Sequence, residues 1–386
     1  MSRGLIYLDY AATTPVDDRV LEAMIPYFCE IFSNPSSKHS CGRRASKAVA
    51  DSRRMMADLL GADNPDEIVF TSGASEANNL AIKGLAECFD EPKHFITTSI
   101  EHKAALNAMR DLQEWEHRVT VVPPGRDGIV DPRDIEEAIS DDTVMVSCML
   151  VNNEIGTIQP IDDIGDMCKS RGIVFHTDAT QGFGKLPIRV GSNIDMLSLS
   201  AHKFYGPKGI GALYVGNDLG LTLKCQISGG SQEMGLRAGT LNVPGIVGMA
   251  EAARLACANM GPEWDRLKHL ESVFLTRLRK TIPMMYVQGN EDYKVPWINN
   301  ICFYGADAGR VRDELGRREI CVSRTSACAK SGDKSHVLEA IGTPEALQDG
   351  AVRVSFGLRT TQERVCIAAD ALHDVVSSIR KEGIVR

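Results

Sequence analysis

The sequence predicts an α/β fold, with a large domain built on a mostly parallel sheet and a smaller α+β domain. Short, unbroken apolar runs recur between residues 66 and 215, and stretches with helical spacing separate them. Unbroken apolar runs are typical of strands buried on both faces, and intervening helices are typical of parallel connections. From about Gly261 the pattern changes to long charged helices with isolated short strands. That change predicts the smaller domain.

The predicted elements of the large domain follow one another along the chain. Strands are predicted at residues 66–72, 93–99, 117–123, 143–151, 172–179, 194–200 and 210–215. Helices are predicted at residues 75–88, 101–115 and 131–140, and Asp131 and Pro132 are typical residues for the start of the last one. The smaller domain adds strands at residues 299–304 and 351–357. We therefore expect a large domain of residues 15–261 and a small domain of residues 1–14 and 262–386.

The composition is that of a packed globular protein and excludes several functional classes. The 386 residues are 43% hydrophobic and 24% charged, and the net charge is −8. No direct contact with nucleic acid is expected, because such surfaces depend on clusters of basic residues. No apolar run is long enough to span a membrane, and the first residues lack the apolar region of a signal peptide. We therefore expect a cytoplasmic protein of enzyme size.

The chain contains 11 cysteines spread over its whole length. No two of them form a C-x-x-C pair, so the sequence predicts neither a zinc site nor a thioredoxin-like site. A disulfide framework is not expected in a long chain without an export signal. Most of the thiols are expected to be small buried apolar groups that stay reduced.

Two segments place polar groups where predicted strands end, which is where ligands bind in open α/β sheets. In FTSGASEANN, the backbone N–H groups of Ala74 and Ser75 begin a helix and are suited to bind a phosphate. A simple N-cap turn is the simpler explanation of that segment alone. In FHTDATQG, Asp178 ends a strand, where a carboxylate is costly unless a cation such as a protonated ring nitrogen pairs with it. Gln181 can reach the same ligand, although an ordinary turn aspartate is the alternative.

A third segment, LSLSAHKFYGPKGIG, places Lys203 directly after an apolar strand and before a loop rich in Gly and Pro. A partly buried lysine has the lowered pKa that reaction with an aldehyde requires. Ser200 and His202 flank it and are suited to bind phosphate oxygens. Taken alone, this lysine is explained as well by a surface position. The three segments together supply the phosphate cradle, acid and lysine that pyridoxal phosphate needs.

These segments resemble the NifS/IscS-type cysteine desulfurases of the class V aminotransferase family. The resemblance implies the fold type I of pyridoxal-phosphate-dependent transferases. It also implies conversion of L-cysteine to L-alanine, with the sulfur passed as a persulfide to an acceptor protein. Iron–sulfur cluster assembly, tRNA thiolation and DNA phosphorothioation remain open as the pathway. The likeness runs from Tyr7 to about Ser378, in the motifs LDYAATTP, FTSGASEANN, IEHKA, VNNEIGTIQPI, HTDATQ, SAHKFYGPKGIGALYV, GLRAGTLN and SACAKSGDKSHVL.

The resemblance further implies a role for each matching residue. Cys328 is the persulfide-carrying nucleophile, Lys203 bonds to the cofactor, and His102 stacks on its ring. Asn153 and Arg353 bind the substrate carboxylate, as suits the fork of an arginine. No metal site is implied, apart from a transient iron–sulfur cluster on Cys328. The implied cofactor-binding residues are Ala74, Ser75, His102, Asp178, Gln181, Ser200, His202, Lys203 and Thr240, the last from the other subunit of a homodimer.

The setting of Cys328 in TSACAKSGDKS is small and polar, which is typical of an exposed loop. Lys330 and Arg324 are near enough in sequence to favour its thiolate. Cys321 is the nearest rival, in a segment predicted to be a strand. Arg324 and Thr325 depart from the usual S-S-G-S-A-C-T-S pattern of the family, and the chain ends without the long tail of housekeeping members. Both departures leave the sulfur acceptor open.

Three alternatives to a desulfurase remain at this stage. A selenocysteine lyase or another class V aminotransferase-like enzyme would use the same cofactor residues without persulfide chemistry. A non-enzymatic scaffold is the least favoured, because it has no need of Lys203, Asp178 and Cys328 together.

Overall fold

The computed structural model describes residues 4–220, 222–324 and 334–384. Its strands are β1 (Ile6–Tyr7), β2 (Ile68–Thr71), β3 (His94–Thr98), β4 (Arg118–Val122), β5 (Thr143–Ser147), β6 (Val174–Asp178), β7 (Met196–Ser200), β8 (Gly211–Val215), β9 (Met285–Val287), β10 (Ile298–Phe303), β11 (Ile320–Cys321) and β12 (Ala351–Ser355). Its helices are α1 (Asp18–Met24), α2 (Pro26–Cys29), α3 (Ser40–Leu60), α4 (Ala74–Ala86), α5 (Lys103–Glu114), α6 (Pro132–Ala138), α7 (Ile161–Ser170), α8 (Val243–Ala258), α9 (Met260–Thr281), α10 (Ala308–Arg317), α11 (His336–Ala340), α12 (Glu345–Gln348) and α13 (Gln362–Ile384).

Seven strands form the main sheet, in the order β2-β8-β7-β6-β5-β3-β4. Strand β8 runs antiparallel to both neighbours, and the other neighbouring pairs are parallel. The unbroken apolar runs predicted from the sequence correspond to this buried sheet. Every residue of β2, β3, β6 and β7 except Val174 is buried. Helices α4 and α5 pack on one face of this sheet in one apolar cluster, and α3, α7 and α8 belong to the cluster on the other face. The predicted mostly parallel sheet is therefore confirmed.

Two smaller sheets lie outside the main one. Strands β12, β10 and β9 form an antiparallel sheet, and β1 pairs with β11 in parallel, so that Ile6 lies opposite Ile320. The N-terminal segment thus joins the C-terminal part of the chain, as the predicted small domain requires. The boundaries of the two domains stay a prediction. None of the helices in the described ranges is long and apolar enough to cross a membrane.

A close approach of two glycines shapes the turn between β2 and α4. Gly73 caps α4 with φ of 155°, a conformation that glycine adopts readily and other residues rarely do. A Cβ atom on Gly211, at the start of β8, would lie only 2.6 Å from Cα of Gly73. The two glycines therefore let β8 pass directly beneath the N-terminus of α4.

Candidate functional site

A cleft of about 470 Å³ opens at the carboxyl ends of β2, β3, β5, β6 and β7. This is the edge where open α/β sheets bind ligands. The small sheets close the cleft, because Arg353 of β12 and the segment 11–13 also line it. The predicted residues that line it are Ala74, Ser75, His102, Asn153, Asp178, Gln181, Ser200, His202, Lys203 and Arg353.

One end of the cleft is built to receive an anion. The N-cap of α4 is Gly73, which offers no side chain to the first N–H groups of the helix, among them those of Ala74 and Ser75. Ser200 lies beside this turn, with its Oγ 3.6 Å from the position that a Cβ on Gly73 would take. Free N–H groups and the dipole at a helix N-terminus favour phosphate.

His202 lies at the same end and is neutral at physiological pH. Its Nδ1 is 3.0 Å from Oγ1 of Thr13. Burial, helped by the positive charges of Lys203, Lys208 and Lys185, lowers the pKa of His202 to about 4. The ring therefore contributes hydrogen bonds rather than a full charge.

Asp178 is a buried carboxylate at the end of β6, with 4% of its surface exposed. Its Oδ2 accepts from Nδ2 of Asn78 at 2.8 Å and its Oδ1 from the N–H of Thr180 at 3.0 Å. Within the described ranges no cation forms an ion pair with it. Two residues before it on β6, the ring nitrogens of His176 are hydrogen-bonded to Ser147 and Ser198, and burial lowers the pKa of His176 to about 4. A buried carboxyl group without a described cationic partner is suited to pair with a cation in the cleft.

Lys203 follows β7 in a short 3-10 turn and lies beside the N-terminal segment. Its Nζ donates to the carbonyl oxygens of Ala11 at 2.6 Å and Ala12 at 2.9 Å. Gln181 donates to the same Ala11 oxygen at 2.9 Å, and its own Oε1 has no partner among the described residues. A buried acceptor without a donor is costly. Gln181 therefore has an oxygen to offer to a ligand that carries a hydroxyl or N–H group.

The opposite wall of the cleft carries Arg353, which is 1% exposed. Its Nη1 donates to the carbonyl oxygen of Asn153 at 2.8 Å and its Nη2 to Oδ1 of Asp9 at 2.9 Å. Its Nε has no partner among the described residues. A guanidinium with a donor to spare is suited to bind a carboxylate.

Two buried residues of the site carry no prediction from the sequence. The amide of Asn78 orients Asp178, and the Oδ1 of Asn78 has no partner among the described residues. Glu101 precedes His102, and burial raises its pKa to about 8, although Oε1 accepts from Thr98 and from the N–H of Met149. The motif IEHKA carried the only signal for Glu101, an acid next to an apolar strand end, and Asn78 had none.

One predicted residue, Thr240, stands apart from the cleft. Thr240 is exposed and does not line it. Cys328 lies outside the described residues, as do Thr325 and Lys330. Its rival Cys321 is partly buried, and burial, with the carboxylates of Asp9 and Glu319, raises the pKa of this thiol. Cys321 is therefore a poor nucleophile in its present setting.

The other cysteines are less uniform than predicted. Ten are free among the described residues, and of these Cys148, Cys168 and Cys302 are buried. Cys29 and Cys41 are exposed, so the prediction of mostly buried thiols is wrong. Their positions at the end of α2 and in the first turn of α3 put them on the surface.

The residues present fit pyridoxal phosphate. The bare α4 N-terminus suits its phosphate, the buried Asp178 suits a protonated ring nitrogen, and the orphaned Oε1 of Gln181 suits a ring substituent. Lys203 lines the same cleft and carries a primary amine, the group with which an aldehyde of this kind reacts. The fold and the cleft thus define a pyridoxal-phosphate enzyme. More narrowly, the chain belongs to the aminotransferase class-V family, whose model matches residues 6–367.

Known proteins agree with this placement. The cysteine desulfurase IscS of Rickettsia rickettsii (strain Iowa) is 43% identical over 379 residues, which cover 97% of this chain and 92% of that protein. A NifS-like protein of known structure has a TM-score of 0.91 at 35% identity, with 97% of this chain and 100% of that chain covered. The structure of SspA in complex with cysteine has a TM-score of 0.81 at 43% identity, covering 91% and 98%. DndA from Streptomyces lividans has a TM-score of 0.77 at 36% identity, covering 90% and 99%. The predicted family, fold type and cofactor class are confirmed.

Proposed function

We propose that this chain is a cysteine desulfurase, which converts L-cysteine to L-alanine and passes the sulfur to an acceptor protein through a persulfide on Cys328. The observation that carries the proposal is that Lys203, Asp178 and Arg353 line the same cleft. The relatives named as cysteine desulfurases favour this activity over a selenocysteine lyase or an aminotransferase. A scaffold without activity has no need of Lys203, Asp178 and Arg353 in one cleft.

Arg353 and Asn153 bind and orient the substrate. The spare Nε donor of Arg353 and the side chain of Asn153, which lines the cleft, bind the carboxylate of L-cysteine. Because Arg353 is fully buried and held on both Nη atoms, its fork has a fixed direction. A fixed fork positions the amine and Cα of the substrate toward Lys203.

Lys203 moves the proton in the first chemical step. When bound, pyridoxal phosphate supplies an electron sink for the substrate's Cα. The Nζ of Lys203 takes the Cα proton, while Ala11 and Ala12 hold this amine at the wall of the cleft. Asp178 is held in a fixed orientation, because its two oxygens accept from N–H donors of Asn78 and Thr180.

The sulfur leaves through Cys328. Its thiolate attacks the substrate's sulfur, so that an S–S bond forms and the C–S bond of the substrate breaks. The electron pair of the broken bond stays with the three-carbon skeleton, which takes up protons and is released as L-alanine. The sulfur is then held as a persulfide, from which a thiolate of the acceptor removes it in the same kind of exchange.

Replacing Cys328 tests the assignment. The Cys328→Ala variant is expected to lose sulfide release from L-cysteine in the presence of a thiol reductant, while its cofactor absorbance is unchanged. The control is Cys321→Ala, which removes the nearest thiol and is expected to keep the activity. Sulfide release by Cys328→Ala at the wild-type rate would rule out the persulfide role of this residue.

An exposed apolar surface at α1 and α2 supports a homodimer. Large apolar side chains are exposed on these helices and in the residues next to them, namely Leu21 at 49%, Ile25 at 54%, Phe28 at 57% and Phe32 at 72%. Clustered exposed apolar side chains are typical of interfaces. In such a dimer the exposed Thr240 would reach the phosphate in the other subunit. The mass of the protein in solution tests this part of the proposal.

The chemistry of the persulfide supports a location in the cell, whereas the acceptor protein stays open. The relatives include IscS, SspA and DndA, whose different names leave several acceptor proteins open. A persulfide needs a reducing compartment. The free thiols of the ten described cysteines suit the cytoplasm. Transfer of labelled sulfur from L-cysteine to candidate proteins identifies the acceptor.

A further inference from the structure

A second cavity lies beside the turn that follows Lys203. Its volume is about 60 Å³, and the next two residues of the chain, Phe204 and Tyr205, form part of its wall. The rest of the wall comes from α1, α8, α9 and the residues next to β10 and β12, and most of the lining side chains are apolar. Such a cavity favours ligands that have an apolar part.

Trp297 brings a buried hydrogen-bond donor to this cavity. It lines the cavity with 2% of its surface exposed, and its Nε1 has no acceptor among the described residues. The ring is held by a perpendicular contact with Trp264, at 5.7 Å between the ring centroids. A buried N–H group without an acceptor is costly, so this indole is suited to donate to a ligand.

Lys185 brings a second donor to the same place. Its Nζ lies 5.2 Å from the ring centroid of Trp297, and it forms no hydrogen bond or ion pair with the part of the chain that the structure describes. The turn before it packs closely on α8, because a Cβ on Gly184 would lie 2.7 Å from Cβ of Ala256. Burial, helped by the positive charge of Lys203, lowers the pKa of Lys185 to about 7.

The two carboxylates of the lining do not balance Lys185, because each is paired with an arginine. Asp17 accepts from Nη2 of Arg19 at 2.8 Å, and Glu263 accepts from Nη2 of Arg266 at 2.7 Å. The side chains of the two arginines are 57% and 35% exposed, so both pairs lie toward solvent. Lys185 is therefore suited to take a further anion as its counter-ion.

We propose that this cavity binds a small monocarboxylate with a short apolar chain, whose two oxygens accept from Nζ of Lys185 and from Nε1 of Trp297. A carboxylate offers acceptors to both donors and supplies the missing negative charge. An ammonium group is excluded by repulsion from Lys185. The site is separate from the cleft, so the proposal does not depend on the activity proposed above.

The size of the cavity sets the length of the chain. A cavity of about 150 Å³ holds a benzene molecule, so about 60 Å³ admits a smaller ligand, of about three or four carbons. Propionate is therefore the probe. Its amide, propionamide, has the same shape without the charge and serves as the matched control ligand.

The test is a titration of the holoenzyme with propionate, followed by tryptophan fluorescence. The chain has three tryptophans, and Trp264 and Trp297 both line the cavity. Trp115→Phe removes the third, which is exposed, and gives the parent protein for the experiment. Saturating L-alanine, monitored by the cofactor absorbance, occupies the cleft throughout. We expect a saturable change with propionate and none with propionamide, and the absence of any saturable change with propionate would overturn the proposal.

Two variants remove the two donors one at a time. Lys185→Met is expected to weaken propionate binding about tenfold or more, since it loses a hydrogen bond to a charged group. Trp297→Phe is expected to weaken it about threefold, with Trp264 left as the reporter. The control is Lys268→Met, which changes an exposed lysine of α9 outside the cavity and is expected to bind propionate as the parent does. Equal affinities for Lys185→Met and Lys268→Met would contradict the site.

The pH dependence separates a charge that binds propionate from a side chain that only supports the fold. Between pH 6 and pH 8 the amine of Lys185 loses its proton, so the parent is expected to bind propionate about tenfold more weakly at pH 8. The advantage of the parent over Lys185→Met should shrink by the same factor, and an advantage that is constant with pH would rule out the ammonium as the anion's partner. Other titratable and charged groups near the amine stay in place in this variant, namely Asp17, Arg19, His202, Lys203, Tyr205, Glu263 and Arg266.

A longer ligand tests the enclosed position of the site. Hexanoate carries the same carboxylate on a chain that exceeds the cavity, and it is expected to bind at least about fivefold more weakly than propionate. Tighter binding of hexanoate would place the carboxylate on an open apolar surface instead and would overturn the assignment to this cavity.

Discussion

The amide of Asn78 donates to Oδ2 of Asp178 at 2.8 Å, although the two residues lie 100 positions apart in the chain. Asn78 belongs to α4, whose uncapped N-terminus lies at the end of the cleft that is suited to an anion. One helix therefore carries both this N-terminus and the amide that orients the buried acid. Because a helix is rigid over one turn, the distance between these two parts of the site is fixed.

Removing that amide is expected to weaken cofactor binding. In Asn78→Ala, Asp178 loses a hydrogen bond to its charged form, which costs about 1.5–3 kcal/mol and so about tenfold or more in affinity. The measurement is an absorbance titration of the apoenzyme with pyridoxal phosphate. Asn79→Ala is the control, because the neighbouring amide is half-buried and donates to the carbonyl oxygen of Ser75 rather than to Asp178. Equal affinities for both variants would contradict the role given to Asn78.

The contrast between Asp178 and Asn78 shows how far the sequence can predict the site. Asp178 and Lys203 each stand at the end of an apolar run, so local patterns place them at the edge of a buried sheet. Asn78 lies inside a helix that looks polar at its start, and only the packing of α4 against β6 reveals its partner. The link from Asp9 to Arg353 spans 344 positions and has no local pattern at all.

The strands were predictable for a related reason. Those of the main sheet, apart from the partly exposed edge strand β4, are largely buried on both faces, so burial leaves its mark on most of their residues. The antiparallel direction of β8 was not predictable, because strand direction depends on the connection through Lys203 and the Gly-rich turn rather than on composition. The exposure of Cys29 and Cys41 was also missed, because a thiol has no polarity pattern that distinguishes surface from core.

Glu101 is expected to make the free energy of unfolding fall as the pH rises. Burial raises its pKa to about 8 from the ordinary 4.5. Between these values the folded state binds more protons than the unfolded state, so stability falls as pH rises through this range, by at most about 1.4 kcal/mol per pH unit. Glu101→Gln, which stays neutral, is expected to remove this contribution. The measurement is the urea midpoint of both proteins at pH 5, 6, 7 and 8.

Other groups also titrate over that range, and the comparison needs a matched control. Glu91→Gln changes an exposed glutamate and is expected to follow the wild type at each pH. The gain of Glu101→Gln over the wild type should grow from pH 5 to pH 8. A gain that is constant with pH would mean that Glu101 is already ionised in the folded protein.

The ion pair between Arg53 and Glu233 is expected to be costly to break by removing one partner. The Nη2–Oε1 distance is 2.5 Å, the side chains are 10% and 0% exposed, and Glu233 also accepts from the N–H of Phe70. Arg53→Ala leaves the carboxylate buried without its cation, which is expected to cost about 3–5 kcal/mol of unfolding free energy. Lys47→Ala in the same helix removes an exposed pair with Asp51 and is expected to cost less than about 1 kcal/mol. Denaturant unfolding measures both, and similar losses would show that the buried charge is relieved by another group.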